Sequence, residues 1–153
     1  MFTEFYHGSP SDKLELDSRT LFLTKDISVA KCYANRQVAF CSKTVGDTPT
    51  VYSISVKDMR VLDLRNQSHR DWFERARVDL NKKPEFEDDQ LPKLKAIGFI
   101  QATGLPGYGI AGLFKLAFES VFDAVLLDEG SQGVSLAVFN PGRSLQIAGK
   151  SHV

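Results

Sequence analysis

The sequence predicts an α+β fold, because strand-like segments cluster towards the two ends of the chain and helix-like segments lie between them. Each strand-like segment is short and rich in β-branched, aromatic or other apolar residues. These segments are Phe2–Tyr6, Thr20–Thr24, Thr50–Val56, Val61–Leu64, Phe122–Asp128 and Val134–Phe139. A length of 153 residues, with 42% hydrophobic and 25% charged residues, is typical of one globular domain. We therefore expect a single domain over residues 1–153.

The first helix is predicted directly after the second strand. Asp26 is a typical N-cap residue, and the following ISVAKCYA (27–34) has apolar residues at helical spacing. Gly8-Ser9-Pro10 is expected to end the first strand. After the helix, turn residues between positions 46 and 49 favour a loop that leads into the third strand.

The middle of the chain is predicted to be mainly helical. We expect one helix near residues 68–81 and a short one near 91–97, separated by the acidic loop KKPEFEDDQLP, which we interpret as solvated. The glycine-rich segment ATGLPGYGIAG (102–112) predicts a loop, but it lacks the Gly-Lys-Ser/Thr of a phosphate-binding loop. A further helix is expected over Ile110–Ser120. The strand that ends before Asn140-Pro141-Gly142 is expected to be the last.

Charge and cysteine content argue against several classes of protein. The chain has 19 acidic and 19 basic residues, so net charge offers no case for a nucleic-acid or membrane-surface binder. The spacing of Cys32 and Cys41 is not a zinc pattern, and we expect reduced, structural thiols. We expect no metal, no signal peptide and no membrane span, and hence a cytoplasmic protein of a bacterial or host cell.

Three sequence blocks stand out when they are taken in order. They are YHGS (6–9), LFLTKDISVAKCYA (21–34) and FDAVLLDEGSQGVSLAVFNP (122–141). Together they resemble the ADP-ribosyltransferase superfamily, in particular the small bacterial and phage-borne members of its diphtheria-toxin-like, His–Tyr–Glu branch, including phage anti-CRISPR-like ADP-ribosyltransferases. The resemblance implies a split β-sheet core and NAD+ as a substrate. Members cleave the nicotinamide–ribose bond and pass ADP-ribose to an acceptor.

The resemblance also implies roles for the first two blocks. His7 would hydrogen-bond the hydroxyls of the adenosine-side ribose, because an imidazole nitrogen can donate or accept. Gly8 would let the backbone approach the nicotinamide amide, and Ser9 would add a hydroxyl nearby. Tyr33 would stack on the nicotinamide ring. The same pocket would be lined by Phe22 and Thr24.

The acidic residue of the family has more than one candidate in this sequence. A glutamate at the start of the last strand usually contacts the ribose, and counting back along the third block puts that position near Ser135. The nearest carboxylates are Asp128 and Glu129, on the turn that also carries Gln132. We therefore expect the carboxylate of Asp128 or Glu129 to take the catalytic role of that glutamate, together with His7 and Tyr33. Gln132 and Ser135 would contact the cofactor.

The sequence supports one main hypothesis for function and leaves two alternatives open. The main one is an NAD-dependent mono-ADP-ribosyltransferase that modifies a macromolecule, expected to be a protein, as a toxin, effector or phage counter-defence protein. If Ser135 replaces the acid, the chain is instead an inactive NAD-binding or inhibitor domain. The second alternative is a Cys–His hydrolase that pairs Cys32 or Cys41 with His7, His69 or His152. The sequence does not identify the acceptor.

Overall fold

The computed structural model describes residues 3–35, 48–56, 58–80 and 104–153, which belong to two structural units. The first unit is Met1–Met59 with Val138–Val153, and the second is Arg60–Ala137. In chain order the elements are β1 (Thr3–Ser9), β2 (Leu21–Thr24), α1 (Ile27–Ala34), β3 (Thr50–Val56), β4 (Val61–Leu62), α2 (Gln67–Leu80), α3 (Ala111–Phe118), β5 (Ala124–Asp128), β6 (Val134–Val138), α4 (Pro141–Ser144) and β7 (Leu145–His152). Short 3₁₀ helices at Tyr108–Ile110 and Gly130–Gln132 precede α3 and β6.

The first unit is built on four antiparallel strands in the order β2–β1–β3–β7. β1 pairs with β3 along its whole length, from Thr3↔Val56 to Ser9↔Thr50, and with β2 at Tyr6↔Thr24. β7 pairs with the other edge of β3, with a register shift between Ser53 and Ile54. β1 therefore lies between two partners, and the YHGS block is part of an interior strand.

Helix α1 begins where the sequence predicts, because Asp26 caps it. The Asp26 carboxylate accepts a hydrogen bond from the Ser28 amide at 2.8 Å, which satisfies one of the free N–H groups of the first turn. The buried face of α1 carries only small side chains, Ala30 and Ala34, which cluster with Val51 of β3. Small side chains on this face allow the helix to lie close to the sheet.

The second unit combines strands β4, β5 and β6, in that order, with helices α2 and α3. β4 and β5 are parallel, with Val61 opposite Ala124 and Leu62 opposite Val125. The helices contact each other through an aromatic cluster in which ring centroids lie between 4.9 and 5.8 Å apart. Its members are Trp72, Phe73, Phe114, Phe118 and Phe122. This cluster forms much of the core of the second unit.

Two sequence predictions about strands are wrong. β1 does not end at Tyr6 but continues to Ser9, because each of its residues pairs with β3 and the first residue without a backbone N–H is Pro10. The strand before Asn140 is not the last, since α4 and the eight-residue strand β7 follow it. Seven of the eight β7 residues are exposed. An edge strand with this exposure lacks the apolar alternation that predicts strands.

The other predicted elements in the described residues are confirmed, with small shifts at their ends. They are the strands near 20–24, 50–56, 61–64, 122–128 and 134–139, and the helices near 27–34, 68–81 and 110–120. The predicted helix near 91–97 and the acidic loop lie outside the described residues. Among the helices that the structure describes, none is both long and apolar enough to cross a membrane.

Candidate functional site

His7 lies on β1 with its imidazole held by the neighbouring strand β2. The Nδ1 atom is 2.8 Å from the Phe22 carbonyl oxygen, and because a carbonyl can only accept, Nδ1 carries the proton. In the neutral ring, Nε2 is then a hydrogen-bond acceptor. Burial lowers the pKa of His7 below its usual 6.5, and the bond to the Phe22 carbonyl opposes this shift only in part. His7 is therefore neutral at pH 7 and offers the Nε2 lone pair to a donor.

Gly8 lies directly against helix α1. A Cβ atom at this position would be 1.8 Å from the Ala30 carbonyl oxygen and 2.7 Å from its carbon. Only glycine allows β1 and α1 to approach this closely. Any ligand contact made by Gly8 would therefore come from its backbone groups. The predicted approach of a nicotinamide amide to Gly8 stays a prediction.

Neighbouring residues of β1 face opposite sides of the sheet, as the strand period requires. Tyr6 and Gly8 face α1, where Tyr6 packs against the Ala30–Ala34–Val51 cluster. His7 faces the other side, together with Tyr52, which lies opposite it on β3. The helix that carries the half-buried Tyr33 is thus on the other face of β1 from His7. One ligand that contacted both side chains would have to cross the strand beside Gly8.

The two predicted hydroxyl ligands have local partners. Ser9 Oγ accepts a hydrogen bond from the Ser11 amide at 3.2 Å, which shapes the turn after β1. Thr24 is buried, and its Oγ1 accepts from the Asp26 amide at 3.0 Å, which positions the N-cap of α1. Phe22 is half-buried and contributes its carbonyl oxygen to His7. The structure therefore brings Phe22 and His7 together and gives Ser9 and Thr24 roles in local structure.

The predicted acidic residues lie on the turn between β5 and β6 in the second unit. Asp128 ends β5, and its Oδ1 accepts a hydrogen bond from the Gly130 amide at 2.7 Å. The Glu129 amide donates to the Gly133 carbonyl oxygen at 2.8 Å, which closes the turn. Asp128, Glu129 and Gln132 are all half-buried. The catalytic role of the Asp128 or Glu129 carboxylate stays a prediction.

Ser135 differs from the other predicted site residues because it is only 3% exposed. Its Oγ has no hydrogen-bond partner in the part of the chain that the structure describes, and it has no surface open to solvent. A dissolved ligand could not reach this hydroxyl without a change in conformation. The sequence predicted a cofactor contact here, and the burial of the side chain argues against that role.

Tyr52 is the residue near His7 that sequence reasoning missed. The sequence places it in a strand, but only the pairing of β1 with β3 brings it opposite His7. The two ring centroids are 6.5 Å apart. Cys32 lies half-buried on α1, and Cys41 lies outside the described residues. Within the described ranges, no group of three or more His, Cys, Asp and Glu side chains could hold a metal ion.

Comparison with known proteins gives evidence at the level of the fold. No family model and no curated protein sequence matches the chain. Among solved structures, it is similar to a chain of the M. tuberculosis MbcT–MbcA toxin–antitoxin complex, with a TM-score of 0.53 and 14% identity. The similarity covers 100% of this chain and 85% of the other. The chain therefore shares its mixed α+β fold with a component of a toxin–antitoxin complex.

Proposed function

We propose that this protein is a toxin-type enzyme that uses NAD+ and transfers ADP-ribose to a macromolecule. The acceptor is expected to be a protein in the cytoplasm of a bacterial or host cell. The observation that carries the proposal is the arrangement at His7 and Gly8. A neutral imidazole whose Nε2 can accept a hydrogen bond lies one residue from a glycine that is packed against the helix of Tyr33. The similar fold in a toxin–antitoxin complex supports the toxin role.

In the proposed reaction, the bond between nicotinamide and the anomeric carbon of ribose breaks, and its electron pair leaves with nicotinamide. This step neutralises the positive pyridinium ring and leaves an oxocarbenium-like ribose. The acceptor then forms a bond to the anomeric carbon and loses a proton. The protein must hold the dinucleotide rigidly and stabilise the transient cation.

The residues would divide this work according to their chemistry. His7 Nε2 would accept a hydrogen bond from a ribose hydroxyl, since the bond to Phe22 leaves only this nitrogen available. Tyr33 would stack on nicotinamide. The carboxylate of Asp128 or Glu129 would stabilise the positive charge on the ribose. A protein antitoxin is the expected partner, by analogy with the similar complex.

One observation favours a second candidate, an inactive domain that only binds NAD or inhibits a partner. The resemblance expects a glutamate near Ser135, whose hydroxyl is buried and has no hydrogen-bond partner among the described residues. A serine cannot supply the negative charge that the transition state needs. The two candidates differ in whether NAD+ is turned over.

The first experiment follows nicotinamide release and labelled ADP-ribose after the purified protein is mixed with NAD+ and a bacterial lysate. His7→Ala is the test variant, and His152→Ala is the matched control because His152 is exposed at the end of β7. Turnover that is lost only in His7→Ala supports the transferase. NAD+ binding without release supports the inactive domain. If neither binding nor release is observed, the transferase and the NAD-binding domain are both refuted.

A further inference from the structure

The half-buried His7 has a neighbour on each of the two adjacent strands. On one side, the Phe22 carbonyl of β2 accepts the Nδ1 proton. On the other side, Tyr52 of β3 lies directly opposite His7, with an angle of 39° between the two ring planes. Tyr52 is 2% exposed, so its ring is closely packed on all sides.

The Tyr52 hydroxyl binds the segment that follows the YHGS block. It donates a hydrogen bond to the Ser11 carbonyl oxygen at 2.9 Å. Burial, and then the negative charge of Asp12, raise the pKa of Tyr52, so the hydroxyl stays protonated and remains a donor. Because Tyr52 extends from the His7 face of the sheet, Ser11 must lie over that same face. The chain after β1 therefore folds back over the side on which His7 lies.

The segment that follows β1, residues 10–20, makes further contacts with other parts of the first unit. Lys150 Nζ of β7 donates to the Asp12 carbonyl oxygen at 3.3 Å. The Gly142 amide donates to the Asp17 carbonyl oxygen at 2.9 Å. A Cβ atom on Gly142 would be 2.8 Å from the Leu16 carbonyl oxygen, so this contact is also close. Of these anchors, the Tyr52 hydroxyl belongs to the residue directly opposite His7.

We infer that Tyr52 is a positioning residue for His7: its ring supports the imidazole, and its hydroxyl holds the 10–20 segment over the face from which His7 would contact a ligand. The inference rests on the proposed function only for its effect on NAD+. Its structural part concerns His7 and can be measured without substrate. Tyr52 itself need not contact the ligand.

The first test is nuclear magnetic resonance of the three histidine side chains, assigned with His7→Ala. In the wild type, we expect His7 to be neutral at pH 7 with its proton on Nδ1. Tyr52→Phe keeps the ring and removes only the hydroxyl. It should speed amide exchange in the segment after Ser9 and move the His7 titration towards 6.5, because water gains access. Tyr52→Leu, which also removes the ring, should do both to a greater extent.

The second test is kinetic and uses Tyr108→Phe as the matched control. Tyr108 is 43% exposed in the second unit, so its variant loses the same atom elsewhere. For Tyr52→Phe, we expect KM for NAD+ to rise about five- to tenfold with kcat nearly unchanged, since one buried hydrogen bond is worth about that factor. Trp72 fluorescence and circular dichroism confirm that each variant is folded.

The outcomes separate the two claims. A changed His7 signal together with a raised KM supports the positioning role. A changed His7 signal in a protein that never turns over NAD+ keeps the positioning role and refutes the proposed function. Unchanged His7 signals in folded Tyr52→Phe and Tyr52→Leu overturn the inference, whether or not KM changes.

Discussion

The substitution Gly8→Ala tests whether this glycine is present for packing or for ligand approach. The added Cβ would lie 1.8 Å from the Ala30 carbonyl oxygen, whereas real contacts of this kind are at least 3.0 Å. The nearest atoms all belong to the backbone of α1, and the Ala34 amide nitrogen is also within 3.0 Å. No side-chain rotation can relieve the clash. The helix must move away from β1.

The expected cost follows from what that movement disturbs. Ala30 and Ala34 would leave their contact with Val51, and Tyr6 would lose the surface that it covers. Overpacking of a dense core usually costs about 1–3 kcal/mol, and a clash with backbone falls at the upper end of that range. For a chain of this length, about 3 kcal/mol corresponds to a fall in melting temperature of roughly 6–12 °C.

Thermal unfolding followed by circular dichroism measures this effect, with Gly149→Ala as the matched control. Gly149 lies on β7, and a Cβ there would have no atom within 4 Å. We expect the control to change stability by no more than about 0.5 kcal/mol. A folded Gly8→Ala protein that melts within about 2 °C of the wild type would refute the packing argument. It would leave ligand approach as the reason for the glycine.

Two further predictions concern the histidine and the buried serine. The pKa of His7 is about 6.5 in the unfolded chain and lower in the folded protein, so the unfolded state binds the proton first. As the pH decreases below 6.5, the free energy of unfolding should therefore decrease by up to about 1.4 kcal/mol per pH unit. Urea unfolding between pH 7 and 5 checks this, and the slope should decrease in His7→Asn, whose amide can still donate to Phe22. Ser135→Ala removes a buried hydroxyl that has no hydrogen-bond partner within the described residues, so it should raise the free energy of unfolding by about 1 kcal/mol in the same assay. A loss of NAD+ turnover without that gain would support the predicted cofactor contact of Ser135.

Local chemistry accounts for what the sequence predicted well. The β2–α1 unit follows from a short apolar strand, a capping aspartate and helical spacing, and each of these signals acts over a few residues. The helix at 67–80 and the strand at 124–128 have equally local signals. His7 and Gly8 also stand out through a local pattern, a histidine and a glycine in succession at the end of a strand-like segment, and the structure gives each of them a defined environment.

Long-range pairing accounts for what the sequence could not predict. Tyr52 lies 45 residues from His7 along the chain and meets it only through the β1–β3 register. β7 has polar, exposed residues and becomes a strand because β3 offers it a free edge. The burial of Ser135 depends on the neighbours of β6, which one sequence does not reveal.

The order of histidine and glycine in YHGS follows from the alternation of β1, whose neighbouring residues face opposite sides of the sheet. The residue that touches α1 must be glycine, because the helix backbone occupies the place of a Cβ. The residue before it must then face the opposite side, where Phe22 and Tyr52 fix an imidazole. Gly8 therefore contributes to the packing of the first unit, and His7 is the residue of the pair that can contact a ligand with its side chain. A loss of activity in a Gly8 variant is evidence about chemistry only when its stability has been measured, whereas a folded His7 variant tests the chemistry directly.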